Sequence, residues 1–252
     1  MTVRELAGVP VLEAALPRPF HALFTTRVGG RSTPPFAGLN LSPFVGDDAE
    51  AVASNRRIVE DVVERRLISP KQEHGLRVMG AAEYVLEPPE TPCDGLTVHI
   101  DIDKGLAPLL LFADCVPVVL CGEVDLAVAH GGWRGILGGI VQQAGRSLMG
   151  MPGAAVIGPS IGPCCFTVDD EVAEAFANRF GDHVVIVPER PGDAQRVDLW
   201  AATAKALTEI NIHPAQITNP RLCTQCNNDL FFSYRGEGPV TGRQGCVAWA
   251  AT

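Results

Sequence analysis

Residues 107–135 read APLLLFADCVPVVLCGEVDLAVAHGGWRG, and this stretch decides the fold class. Residues 107–112 and 116–121 are two short apolar runs rich in Leu and Val, of a length that suits buried strands. They flank the turn Ala113-Asp114-Cys115. A third run, 126–129, leads into His130, and the pair Gly131-Gly132 then opens a helix expected to continue to Leu148. His130 is thus expected at a strand-to-helix junction, where the first backbone N–H groups of the helix are free to meet an anion. Strands that follow one another directly, together with a β–α–β order, point to a single α+β domain over residues 1–252.

The pattern extends in both directions. Residues 20–26 are β-rich and stop at Arg27-Val28-Gly29-Gly30. The following loop, 27–48, carries Gly, Pro, Ser, Asn and paired Asp, and loops of this length often serve function. Asp47 or Asp48 can cap a helix over 49–66 whose apolar side is Val52, Ile58, Val59, Val62 and Val63. Beyond the central block come a strand at 154–157, a Gly- and Pro-rich loop at 158–165, and helices at 170–180 and 199–210, the second capped by Asp198. Residues 230–249 mix strand formers with Gly turns, and no repeat or low-complexity tract appears.

The 252 residues carry 46% hydrophobic side chains and a formal net charge of −9, with no Lys/Arg cluster larger than a pair. A balance of that sign argues against nucleic acid or an anionic membrane as the main partner. Residues 1–20 lack a basic segment followed by an apolar one, and no run is long enough to span a bilayer, so a cytoplasmic protein is expected. In that setting the eight cysteines read as thiols or ligands rather than disulfides.

Three blocks carry chemistry: Gln72-Glu73-His74-Gly75, Ala113-Asp114-Cys115 and His130-Gly131-Gly132-Trp133-Arg134-Gly135. Two imidazoles and one thiolate fill three positions of a tetrahedral zinc site and leave the fourth for water or substrate, as in catalytic rather than structural zinc. Read alone, each residue has a plainer role: a histidine that only hydrogen-bonds, a buried small thiol. Trp133 reads as core, Asp47 and Asp48 as loop and capping residues, and Arg243 as structural. Cys223-Thr224-Gln225-Cys226 is a C-x-x-C that would need two further ligands to bind zinc, and the vicinal Cys164-Cys165 pair is a poor source of them. All four read as structural thiols, as do Cys93, Cys121 and Cys246.

At these blocks the chain resembles the YfiH family, also known as the multicopper polyphenol oxidase (laccase-like) domain family, whose members include purine nucleoside phosphorylases. The resemblance runs from Thr25-Thr26-Arg27-Val28-Gly29-Gly30 to Thr241-Gly242-Arg243. It includes Leu39-Asn40-Leu41, Gly46-Asp47-Asp48, Asn55-Arg56, the loop Gly158-Pro159-Ser160-Ile161-Gly162-Pro163-Cys164-Cys165, Cys223-Thr224 and Phe232-Ser233-Tyr234-Arg235. Glu73 and Gly131 stand where relatives often have Val and Ala, and neither is a ligand position.

The resemblance implies two mixed β-sheet layers flanked by helices, and it puts the family's Zn(2+) ligands, which are also its catalytic residues, at His74, Cys115 and His130. It further implies phosphorolysis of adenosine, inosine and methylthioadenosine, and deamination of adenosine. With that chemistry in view, Arg27, Arg56 and Arg134 are candidates for phosphate, Arg56 foremost, since a guanidinium matches it bidentately. Ser32 and Asn40 are candidates for ribose hydroxyls. Asp114 has two open roles, proton shuttle or orienter of a ligand histidine.

Other chemistries compete. Cys115 with His74 or His130 could form a Cys–His amide hydrolase acting on peptidoglycan precursors, an activity linked to other members. Copper, Cu(2+), can occupy the same donors. A four-copper laccase, though, uses more histidines than the six present, arranged in His-x-His pairs that this chain lacks. A non-catalytic protein with a structural metal would need a fourth protein ligand.

Overall fold

In the computed structural model, which describes residues 1–188, 190 and 192–251, two six-stranded sheets stack face to face and helices cover their outer faces. The first sheet runs in the order Thr2–Leu6, Val9–Glu13, Phe20–Thr25, Gln244–Ala250, Leu106–Phe112, Arg66–Ile68. The second runs Ile217–Thr218, Ala154–Ile157, Val116–Cys121, Asp125–Gly131, Gly95–His99, Val78–Gly80. Both are antiparallel at their centres and end in parallel pairs, Arg66–Ile68 with Leu106–Phe112 in one and Val78–Gly80 with Gly95–His99 in the other. A small third sheet joins Thr167–Val168, Gln195–Val197 and Val185–Ile186.

The central strands explain the layering. All six residues of Val116–Cys121 are buried, so the strand reads as a continuous apolar run. Successive side chains point to opposite faces. Val118 and Leu120 pack outward against Ile136, Ile140, Phe176 and Leu207, while Val119 and Cys121 face inward to meet Phe24, Leu110 and Phe112 of the first sheet. In Leu106–Phe112 the same alternation sends Leu109 and Leu111 outward to Val59 and Val63 of the helix Ala49–Val63. Leu106–Phe112 belongs to the first sheet and Val116–Cys121 to the second, so the Ala113-Asp114-Cys115 turn carries the chain from one layer to the other.

Several boundaries differ from the sequence expectation, each for a local reason. The helix expected over 49–66 stops at Val63, because Glu64 adopts the left-handed conformation (φ 53°) and residues 66–68 join the first sheet instead. Asp48, not Asp47, caps it, its carboxylate accepting from the Ala51 N–H. The helix expected over 133–148 is two, Trp133–Gly138 and Ile140–Arg146, divided at Gly139 (φ 95°). The first two strands form a hairpin that the sequence reading did not anticipate. Its outer strand is almost wholly exposed and shows no inward pattern, and Ala7 and Gly8 both take positive φ at the turn.

Leu120 is fully buried between sheet and helices. Leu120→Ala is expected to lower the unfolding free energy by about 2–5 kcal/mol, read from equilibrium urea unfolding.

Candidate metal centre

Three segments from different parts of the fold meet at one end of the stacked sheets. The ligand atoms of His74, Cys115 and His130 lie within 4.8 Å of one another. Cys115 Sγ is 3.7 Å from His74 Nε2, and the two imidazole rings meet edge to face with centroids 4.8 Å apart. Cys115 comes from the turn between the sheets and His130 from the strand Asp125–Gly131. His74 comes from a loop that Gln72 fastens to the first sheet. The Gln72 amide donates to the Leu111 carbonyl (2.9 Å) and accepts from the Leu111 N–H (2.8 Å).

Asp94, just before the strand Gly95–His99, organises the site. One carboxylate oxygen stands 2.8 Å from His130 Nδ1. The same carboxylate accepts the backbone N–H groups of Glu73 (3.2 Å), His74 (2.9 Å) and Gly75 (2.8 Å). One buried acid therefore holds the ring of one histidine and the backbone of the other. Anchoring His130 through Nδ1 leaves Nε2 for a metal, the arrangement in which an outer carboxylate sets the tautomer of a ligand histidine.

Backbone constraints concentrate here. His74 (φ 63°) and Asp114 (φ 90°) are in the left-handed region that non-glycine residues seldom occupy, and such strain persists only where the surroundings enforce it. Gly132 allows the final approach, since a Cβ there would lie 2.5 Å from His74 Cδ2 and 3.5 Å from Cys115 Sγ. The donor set fits zinc: two imidazole nitrogens and a thiolate sulfur, one imidazole backed by a carboxylate, and no fourth protein ligand grouped with them among the described residues.

Charge is arranged to match. Burial alone would raise the Cys115 thiol, but His130 and His74 outweigh it and bring it down to about 6. Burial would lower His130, yet the Cys115 thiolate and Asp94 raise it to about 9. Asp94 is held below the usual carboxylate range: burial opposes this, and the contacts with His130 and the loop N–H groups prevail. Each charge favours the other, the thiolate raising His130 and the imidazolium lowering Cys115.

The other candidate residues occupy varied settings. Arg27 pairs with Glu237 at 2.9 Å, donates to the Asn228 carbonyl and stacks over Phe232. Arg56 donates to the Leu41 carbonyl and Ser69 Oγ. Ser32 and Asn40 both donate to Asp47, and Asn55 donates to Ser32 Oγ and to the Asn40 carbonyl, a polar network that folds the 27–48 loop onto the helix Ala49–Val63. Arg134 is exposed, its guanidinium 4.0 Å from the Trp133 ring.

Asp114, weighed as proton shuttle or orienter of a histidine, makes its side-chain hydrogen bonds among the described residues away from both histidines. Its carboxylate accepts from Thr224 Oγ1 (2.6 Å), Ser233 Oγ (2.7 Å) and the Arg235 N–H (2.7 Å), tying the Cys115 turn to the C-terminal loops.

Three residues escaped the sequence reading. Asp94 carried only the faint signal of an acid ahead of Gly95 and a β-rich run. Arg243, read as structural, is half-buried in the field of Cys115, Asp114 and Tyr234, although burial opposes its charge most strongly. Arg235 lines a cleft of about 420 Å³ with Trp133, Phe166, Thr167, Asp169 and Val172. The four cysteines read as separate structural thiols, Cys164, Cys165, Cys223 and Cys226, also converge, because their two loops pair at Ser160 and Cys223.

Two measurements test this electrostatic arrangement. Asp94→Asn is expected to weaken zinc binding about 10–100-fold in a chelator competition. In metal-free protein, alkylation of Cys115 should rise with a midpoint near pH 6. Below that the thiol keeps its proton, and from about 6 to about 9 it persists as thiolate beside charged His130.

Known proteins share this architecture. The family described as multi-copper polyphenol oxidoreductase laccase matches residues 21–251. Purine nucleoside phosphorylase YlmD of Geobacillus stearothermophilus is 32% identical over 240 residues, covering 87% of this chain and 86% of that protein. Adenosine deaminase RL5, from an unknown prokaryotic organism, is 33% identical over 241 residues, covering 88% of this chain and 91% of that protein. The crystal structure of Bacillus licheniformis YfiH superposes with a TM-score of 0.83 at 31% identity, covering 92% and 93% of the two chains. With its two stacked sheets and its His74, Cys115 and His130 cluster, this chain belongs to the multi-copper polyphenol oxidoreductase laccase (YfiH) family.

Proposed function

We propose that this chain is a zinc-dependent purine nucleoside enzyme that cleaves adenosine, inosine and methylthioadenosine with phosphate and deaminates adenosine. The observation that carries the reading is the grouping of His74, Cys115 and His130, with no fourth protein ligand grouped with them among the described residues, in a chain whose relatives are named purine nucleoside phosphorylase and adenosine deaminase. A zinc ion held by these three residues would supply Lewis acidity and lower the pKa of water at that position. Copper suits the same donors, and metal analysis of the purified protein decides between them.

The residues around the cluster suit such a substrate. The cleft adjoins the ligand turns through Trp133, three residues after His130, and through Arg235, whose N–H is bound by Asp114. A volume of about 420 Å³ is in the range of small-molecule sites. Trp133 and Phe166 line the cleft with aromatic rings, each with a guanidinium over it (Arg134 at 4.0 Å, Arg235 at 5.0 Å), and Thr167 and Asp169 add polar side chains. For phosphate we place Arg243 ahead of Arg27, Arg56 and Arg134. Its Nη1 donates to the Thr241 and Gly242 carbonyls, and the charges of Cys115 and Asp114 favour its ionised form.

A second reading has its own observation. Cys115 and His74, 3.7 Å apart with the thiol at about 6, have the character of a nucleophile and its base. That site would cleave an amide, such as a peptidoglycan precursor, and would not need the metal.

Mass-spectrometric product analysis separates these readings. Zinc-loaded protein with adenosine and phosphate should yield adenine with ribose-1-phosphate, and inosine with ammonia, while Cys115→Ala yields neither. Absence of both products from protein with zinc confirmed bound would favour the amide hydrolase. Arg243→Gln is expected to cut phosphorolysis about 10–100-fold, as for loss of a charged hydrogen bond, while leaving phosphate-independent deamination within a few-fold.

A further inference from the structure

Outside the candidate active site, the described residues include one further group of metal-ligating side chains, four cysteines from two loops distant in sequence. Cys164 and Cys165 end the loop after the strand Ala154–Ile157. Cys223 and Cys226 follow the strand Ile217–Thr218. The loops are zipped together by backbone bonds from the Ser160 N–H to Leu222 O (3.2 Å) and from the Thr224 N–H to Ser160 O (3.1 Å). The four sulfurs lie within 4.8 Å of one another, and Cys226 Sγ is 3.4 Å from both Cys164 Sγ and Cys165 Sγ.

We propose that Cys164, Cys165, Cys223 and Cys226 form a second, tetrathiolate metal site for a soft divalent cation, zinc in the first instance, separate from the His74, Cys115 and His130 cluster.

Three observations support it. The first is geometric. Zinc–sulfur bonds of about 2.3 Å in a tetrahedron separate the sulfurs by roughly 3.8 Å. The observed contacts of 3.4 Å and the 4.8 Å outer limit bracket that spacing. An iron–sulfur cluster fits less well, because each thiolate binds an iron at the cluster's periphery and the sulfurs must then stand further apart. The second is burial. Cys223 is buried and Cys165 half-buried against the core, but Cys164 and Cys226 are exposed, so apolar packing, the ordinary reason for a free cysteine, does not account for those two. The third is that Cys223 Sγ accepts the Gly162 N–H at 3.2 Å, the kind of outer contact that holds a ligand in place. Coordination replaces the thiol protons, which are released to solvent.

The site would act as a staple. Thr224, between Cys223 and Cys226, donates to Asp114, and the Ile161 N–H donates to the Asp114 carbonyl at 2.9 Å. A metal joining the two loops would therefore brace the turn that carries Cys115. It would not itself touch substrate, and the proposal does not depend on the nucleoside reading.

Metal stoichiometry of the full chain, purified under reducing conditions with zinc, tests it. Native mass spectrometry of the wild-type protein should show two zinc ions per chain. Cys115→Ala and the double variant Cys164→Ser/Cys226→Ser should each retain one. Cobalt loaded into Cys115→Ala should give strong thiolate charge-transfer absorption with tetrahedral d–d bands. Should the double variant fail to fold, iodoacetamide mapping of the wild type decides, with zinc expected to protect Cys164, Cys165, Cys223 and Cys226 by at least about tenfold relative to chelator-treated protein. One zinc in the wild type, none in Cys115→Ala and no zinc-dependent protection would overturn the proposal. So would a disulfide linking Cys226 to Cys164 or Cys165 in protein purified under reducing conditions, which would mark a redox pair instead.

Discussion

The candidate metal centre depends on the buried carboxylate of Asp94. It binds the ring of His130 and the backbone N–H groups around His74, so one acid positions both segments. Charge explains why one acid can do this. An ionised carboxylate has no donors of its own and several acceptor positions, and here one imidazole and three N–H groups fill them. Burying such a charge is expensive unless it is met by hydrogen bonds or an opposite charge, and the loop conformation with His74 at positive φ is what delivers the three N–H groups to it. Strain in the loop and satisfaction of the acid are two sides of one arrangement.

The stacked sheets provide the rigid frame. A turn that passes from one sheet to the other brings Cys115 beside a strand of the second sheet, and Gln72 ties the His74 loop to a strand of the first. The cluster is therefore referenced to both layers. Asp114 serves the same end from the other side, its carboxylate filled by Thr224, Ser233 and Arg235. The residues that surround the ligands spend their polar atoms on positioning. Arg235 also donates to the Thr167 carbonyl beside the aromatic cleft, and Arg134 stays exposed over Trp133.

The loop at 27–48 shows how a polar segment becomes part of the fold. Asn55 is fully buried on the helix Ala49–Val63, where its amide reaches Ser32 Oγ and the Gly38 and Asn40 carbonyls, and its oxygen accepts from the Arg31 N–H. A buried amide of this kind is costly if a partner is lost, which favours one loop conformation over others. Ser32 and Asn40 belong to that network, so a residue type suited to binding ribose serves here to order the backbone.

The local elements were determined by the sequence itself. The strand Val116–Cys121 and the helix Asp170–Phe180 follow from apolar runs, period and capping residues, all of which act between near neighbours. The residue types of the candidate cluster, and the placing of Cys115 at a turn and His130 at the end of a strand, were legible for the same reason. The tertiary structure decided what lies far apart in sequence. It assigned consecutive strands to different sheets and selected Asp94 from among many acids as the partner of His130. It also brought Cys164 and Cys165 to Cys223 and Cys226 across about sixty residues, where spacing alone had made them look unrelated. Periodicity records which face of an element avoids water, but it does not record which other element covers that face. Contacts that depend on the covering element, as the Asp94 bonds and the four-cysteine cluster both do, arise only when the chain has folded.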